Sequence, residues 1–301
     1  MRVELTVESG KRRRWNPFRR WRFFVELPSS WEEVGDDRAR LRLWDHLLHQ
    51  GPESARAMVL DQHLSHLPRH IRAAITAEDR TAMLMQLGWI EVKASADPVI
   101  GSFKHGGVEY FFPKKGFENG ACGEFALADN YYEAYILEEK REDLLGLVAT
   151  IARENRTDGI ESPVDRRCEL HDREEAEVRA EKLSDLPDSI ALAALAYFAG
   201  VKRQVAETFW VLFSENMPSP EPEADDDGEP SPQRESDRNA PKFGWWSKFL
   251  EVAETGLFGD YRQVITTRFY LVCMYLVDQH HKNERLKAEH DRMAAKYRTH
   301  T

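Results

Sequence analysis

Residues 122–153 read CGEFALADNYYEAYILEEKREDLLGLVATIAR, and the fold is decided by how this stretch is read. Phe125, Leu127, Ala128, Tyr131, Tyr132, Tyr135 and Ile136 recur at intervals of three and four. After the charged break EEKRED, Leu144, Leu145, Leu147, Val148 and Ile151 resume the same period. That spacing predicts two helices joined by a tight turn. Neither helix can bury its apolar stripe alone, so each requires further helices laid against it.

The flanking sequence supplies them. Upstream, Val3, Leu5 and Val7, and then Trp21, Phe23, Val25 and Leu27, alternate with polar residues as half-buried strands do, which predicts a hairpin with a long basic loop. Ser30 with Glu33 has the form of a capping box opening a first helix. Apolar runs at Leu41–Leu48 and Met58–Leu67 predict helices broken near Gly51-Pro52 and ended by Pro68. A short helix follows Thr76, with Asp79 at the reciprocal capping position. Around His105-Gly106-Gly107 the period returns to two, predicting a second small hairpin. Residues 154–172 show little apolar periodicity and read as an exposed connection. From Arg173 helix resumes, with a break near Leu186-Pro187 and a second division expected at Gly200.

At 301 residues with 42% hydrophobic content the chain can bury a sizeable core, in one domain or two. Its net charge of −10 is uneven, because residues 218–238 hold eight acids against two arginines. Five prolines lie in the same stretch, which blocks regular hydrogen bonding, so residues 214–240 read as a disordered linker. The organisation expected is a mainly α chain with one or two small β-hairpins: a helical body over 1–213, the linker, and a tethered helical segment over 241–301. Three cysteines far apart, Cys122, Cys168 and Cys273, argue against a disulfide framework and fit a reducing cytoplasm. The amino terminus lacks the apolar run of a secretory signal, and the longest apolar run, nine residues from Phe269 to Val277, falls short of the ~20 needed to span a bilayer.

No catalytic constellation, cofactor motif or metal signature stands out. The basic loop with Arg12, Arg13, Arg14, Trp15, Arg19, Arg20 and Trp21 could clamp phosphates and stack bases, although one basic loop on an acidic chain falls short of a patterned basic face. His63, His66 and His70 have helix-compatible offsets, but Pro68 interrupts them and no ligand-plus-base motif is present. The glycines of GFENGACG match neither phosphate-loop spacing, and no lysine follows at the helix start. Cys122 at a helix start invites a lowered pKa but has no base beside it in sequence. Trp245, Trp246, Phe249 and Phe258 follow the linker, and could present an apolar surface to a partner helix or simply complete the core.

Four blocks taken together resemble uncharacterised phage-tail-region proteins of bacterial prophages. They are LPSSWEEV, GEFALADNYYEAYI leading to LLGLVATIAR, IALAALAYFAGVKRQVAETFWVLF, and WWSKFLEVAETGLFGDYRQVITTRFYLVCMYL, spanning about half of the chain. The resemblance implies a non-enzymatic tail-assembly protein of the host cytoplasm, a chaperone for a long helical tape-measure protein, with the four aromatics above on the binding surface. A structural tail component or a nucleic-acid-binding module using the basic loop are the alternatives.

Overall fold

A computed structural model describes residues 2–8, 20–91, 94–155, 165, 167, 173–214 and 244–298. The basic loop at 11–19, the acidic stretch at 215–243, Cys168 and His171 lie outside the described residues. Two strands, β1 (Arg2–Glu8) and β2 (Arg20–Glu26), open the chain, followed by α1 (Asp37–Ser65), α2 (Arg69–Arg72) and α3 (Ala77–Gln86). The hairpin β3 (Ser102–His105) and β4 (Val108–Phe111) leads to the central pair α4 (Cys122–Glu138) and α5 (Arg141–Ile151). Then come β5 (Arg153–Glu154), α6 (Arg173–Lys182), α7 (Asp188–Thr208), α8 (Val211–Ser214), α9 (Trp245–Glu254), α10 (Tyr261–Thr266) and α11 (Phe269–Arg298). The fold is mainly helical with small antiparallel sheets, as the periodicity predicts. No helix among the described residues is long and apolar enough to cross a membrane.

Local chemistry explains most boundaries. The register of β1 with β2 pairs Val3, Leu5 and Val7 with Val25, Phe23 and Trp21 across the two strands. Gly51 takes φ 81°, a left-handed conformation that kinks α1 ahead of Pro52. Thr76 and Asp79 form the capping box of α3, with the Thr76 hydroxyl and the Asp79 carboxylate each accepting from the other's backbone N–H at 3.1 and 3.0 Å. The box expected at Ser30 is displaced: Glu33 accepts from the Ser29 N–H at 2.6 Å over a single 3-10 turn, and α1 is capped by Asp36, which accepts from Ala39 at 2.8 Å. Between α4 and α5 the charged break turns at Glu139, with φ 52° and its N–H donating to the Tyr135 carbonyl at 2.7 Å.

Two glycines set how closely elements approach. A Cβ on Gly146 would stand 2.5 Å from the Tyr131 ring, so α5 lies directly on α4. Gly200 does not divide α7, which is continuous from Asp188 to Thr208. It is instead the point where the backbone of Ser95-Ala96 crosses that helix, with Ser95 N–H donating to the Ala196 carbonyl at 3.1 Å.

The core is continuous from Val25 to Cys273 and includes residues of both the amino-terminal body and the carboxy-terminal helices. Docking occurs where α4 and α11 begin. Ala121 and Arg268 form an antiparallel bridge, the Cys122 N–H donates to Thr267 at 2.9 Å, and the Phe269 N–H donates to Gly120 at 3.0 Å. Phe125 then stacks on Phe269 with ring centroids 3.8 Å apart.

Gly200→Ala tests this packing. A Cβ there would lie 2.1 Å from the Ser95 carbonyl carbon, a backbone atom with nowhere to retreat. Urea unfolding is expected to show a loss of about 1–3 kcal/mol, whereas Ala substitution of an exposed helix residue such as Gln62 should change stability by about 0.5 kcal/mol or less.

Candidate functional site

The residues singled out for partner binding mostly face inward. Phe249 has no exposed surface, and Trp245 packs on Phe125, Phe213 and Phe269 at centroid distances of 5.3, 5.8 and 5.0 Å. Trp246 is half-buried and meets Phe249 edge-on, and Phe258 does the same with Tyr275 at 5.4 Å. The aromatic face of α9 therefore completes the core, and in this arrangement Phe249 cannot touch a partner. What the segment leaves to solvent is aliphatic: Leu250 is 50% exposed, Leu257 65%, Leu271 46% and Met274 55%. Among the basic-loop residues, Arg12, Arg13, Arg14, Trp15 and Arg19 lie outside the described residues. Arg20 and Trp21 begin β2, where their backbones pair with Glu8 and Val7.

Under Trp245 lies a polar junction. Lys202 Nζ of α7 is 2.5 Å from Asp129 and 3.1 Å from Glu133, and it stands 4.7 Å from the centroid of the Tyr132 ring. Burial pushes the Asp129 carboxyl up, against the attraction of Lys202 and a hydrogen bond from Trp245. Burial would lower Lys202, yet Asp129 and Glu133 outweigh it and hold the lysine above its ordinary value. The two directions favour different protonation states of the aspartate. The short contact to a lysine that stays protonated at neutral pH favours the charged pair.

The largest group of buried charge was not visible in the sequence. Glu124, in the first turn of α4, has a side chain only 1% exposed. Its carboxylate accepts from Arg153 at 2.6 Å and from Arg167 at 2.7 and 3.2 Å, and these guanidinium side chains are 5% and 2% exposed. Arg167 also donates to the Ile151 carbonyl at 2.6 Å and to Asp165 at 2.8 and 3.0 Å. Residues 154–172 are thus not simply an exposed connection, because Arg167 is buried against the ends of α4 and α5. Only long-range contact, across a sequence separation of 43 from Glu124 to Arg167, makes the cluster. Among the described residues, Glu124 and Asp165 face Arg153 and Arg167, so carboxylate meets guanidinium throughout this buried group.

Other candidates resolve into structure. Burial, reinforced by Cys273, pushes the Cys122 thiol up, so it is the protonated, poorly nucleophilic form that occupies the helix start. A Cβ on Gly120 would overlap the Phe117 ring at 1.9 Å, and one on Gly123 would crowd Ile265 at 3.3 Å, so these glycines serve close packing. His63 bonds the Val59 carbonyl at 2.9 Å, and no group of ligands able to hold a metal occurs among the described residues. His105 meets Asp185, itself 86% exposed, at 2.9 Å. A cleft of about 350 Å3 beside β5 and α6 is lined by Glu154, Glu174, Glu175, Val178, Arg179 and Lys182, a set of mixed charges without a nucleophile.

Two outcomes follow for the charge cluster. Glu124→Gln leaves two buried guanidinium groups without their shared counter-ion and is expected to lower stability by about 3–5 kcal/mol in denaturant titration. Burial alone would raise the Asp165 carboxyl, but Arg167 and Arg153 hold it below its ordinary 3.8. A depressed folded-state pKa contributes stability that is complete above the unfolded value and is lost as pH falls through the folded one. Melting temperature should therefore fall below about pH 4, and Asp165→Asn should flatten that fall while lowering the plateau.

Comparisons with protein families, with curated proteins and with solved structures returned no match to this chain.

Proposed function

We propose that this protein is a non-enzymatic assembly factor that binds another polypeptide through the aliphatic face of its carboxy-terminal helices. The resemblance of its sequence blocks to phage-tail-region proteins supports a role in tail assembly, with a long helical tape-measure protein as the partner. The observation that carries the reading is the division of labour in the carboxy-terminal segment. Its aromatic side chains are spent on the core, yet Leu250, Leu257, Leu271 and Met274 remain about half exposed or more. Leu271 and Met274 lie one turn apart on α11, so both can meet one apolar stripe of a facing helix.

Covering the exposed half of such side chains contributes roughly 1 kcal/mol each, offset by the loss of freedom on association. A tape-measure protein exposes apolar helical surface before a tail tube encloses it. A factor that covers that surface reversibly needs modest affinity and no reactive centre. The buried carboxylate–guanidinium cluster at Glu124 and the protonated Cys122 accord with a chain that works by contact.

Leu271→Lys combined with Met274→Lys is expected to abolish co-purification with a co-expressed tape-measure protein while leaving the helical circular dichroism unchanged. Binding that survives both substitutions would contradict the reading. Retention of the protein in purified particles would assign it to the tail structure instead, and salt-sensitive binding to single-stranded DNA would favour the basic loop.

A further inference from the structure

The last helix is much longer than its docking requires. Residues 281–293 of α11 are all exposed, so at least about 20 Å of helix projects beyond the body. A helical half with no core beside it is only marginally stable in water, and this one carries two large apolar side chains, Leu286 at 64% and Met293 at 50% exposed.

Both residues fall on the side of the helix that is turned away from the body. A helix advances about 100° per residue, which places Met274, Leu271, Met293 and Leu286 within one arc of about 120°. Phe269, Val272 and Cys273, which have no exposed surface, and Tyr270, which packs on Phe209, lie on the opposite side. The docking of α11 therefore leaves the outward arc open from Leu271 to Met293, a line of about 33 Å, along which Tyr275 alone is half-buried, against Phe258. In the projecting half the same arc carries Lys282, Arg285, Glu289 and Arg292, whereas Glu284 and Asp291 fall on the other side. Lys282 is paired with Asp278 at 2.6 Å, but among the described residues neither Arg285 nor Arg292 makes an ion pair.

We infer that the outward arc of α11 is one continuous docking surface for a single long helix of the partner, and that this helix carries carboxylates along the flank that meets Arg285 and Arg292. The inference rests on the role given above to Leu271 and Met274 and extends their face to the tip. Apolar side chains on one side of a straight line fit a rod of about 22 residues, whereas a short segment would cover one pair and leave the other in water. Arg285 and Arg292 stand about 10 Å apart along the axis, two turns, which is the interval at which one flank of a facing helix returns. Their charge calls for acidic groups at that interval. Glu289 lies between them on the arc and would repel a phosphate backbone, which favours a polypeptide over a nucleic-acid strand.

Titration of the full-length protein against a purified tape-measure protein gives the test. Leu286→Lys with Met293→Lys is expected to weaken binding roughly tenfold, and Arg285→Glu with Arg292→Glu about fivefold, both with unchanged melting of the free protein. Amide hydrogen exchange over residues 281–293 should slow at least about tenfold in the complex. If Leu271→Lys with Met274→Lys abolishes binding while the Leu286 and Met293 pair changes nothing, the docking face stops at the body and this inference alone fails. If the Leu271 and Met274 pair leaves binding intact, or the unsubstituted protein does not bind, the reading beneath it fails as well. Unchanged or tighter binding by the arginine variant would overturn the acidic flank. A dimer in sedimentation velocity that Leu286→Lys with Met293→Lys disperses would give the arc to a second copy, and single-stranded DNA binding lost in the arginine variant would give it to nucleic acid, each overturning the inference.

Discussion

The first turn of α4 carries the constraint on which the rest depends. Two adjacent side chains leave it for different halves of the molecule. Glu124 reaches Arg153 and Arg167 in a buried charge cluster, and Phe125 stacks on Phe269 of the carboxy-terminal helix. The backbone just before it, at Gly120 and Cys122, is hydrogen-bonded to Phe269 and Thr267. Removing charges from water is expensive, so a buried carboxylate persists only where its counter-ions are placed around it, and that requirement fixes where α5 must end. Ile151 closes the helix with its carbonyl on Arg167, and Arg153 turns back to Glu124 as its strand joins β4.

The same turn explains why the carboxy-terminal segment is part of one core. Phe125 lies among Phe117, Phe198, Phe269 and Trp245, rings contributed by a loop, α7, α11 and α9. Such offset and edge-on contacts add to area burial and favour one arrangement of the rings. Asp129 and Lys202 anchor the rim of this cluster beneath Trp245. Once α9 has turned its aromatic face inward, the large apolar side chains left exposed beside it include Leu250, Leu257, Leu271 and Met274. The surface available for a partner is a by-product of how the core is closed.

Much of this was legible from periodicity. The helix pair, both hairpins, the Thr76 box and the break at Leu186-Pro187 are encoded locally, in apolar spacing and capping chemistry. What stayed hidden was long-range. Arg153 and Arg167 look like solvated charges until the fold brings Glu124 to them, and β5 is only two residues long, too short to show a period. Gly200 reads as a helix breaker because nothing in its neighbourhood reveals that Ser95 crosses there. The aromatics of α9 were identified as important, but a sequence does not say which side of a helix meets the core when both sides are apolar, as Phe249 and Leu250 are.

One core makes the central pair and the carboxy-terminal helices a single folding unit despite the long acidic stretch between them in the sequence. The most direct measurement is to place a specific protease site within residues 225–230, cut the folded protein there, and follow the two fragments by size-exclusion chromatography and thermal unfolding. Fragments that elute together and melt in one transition are the predicted result. Fragments that separate without denaturant, or that melt independently, would contradict it.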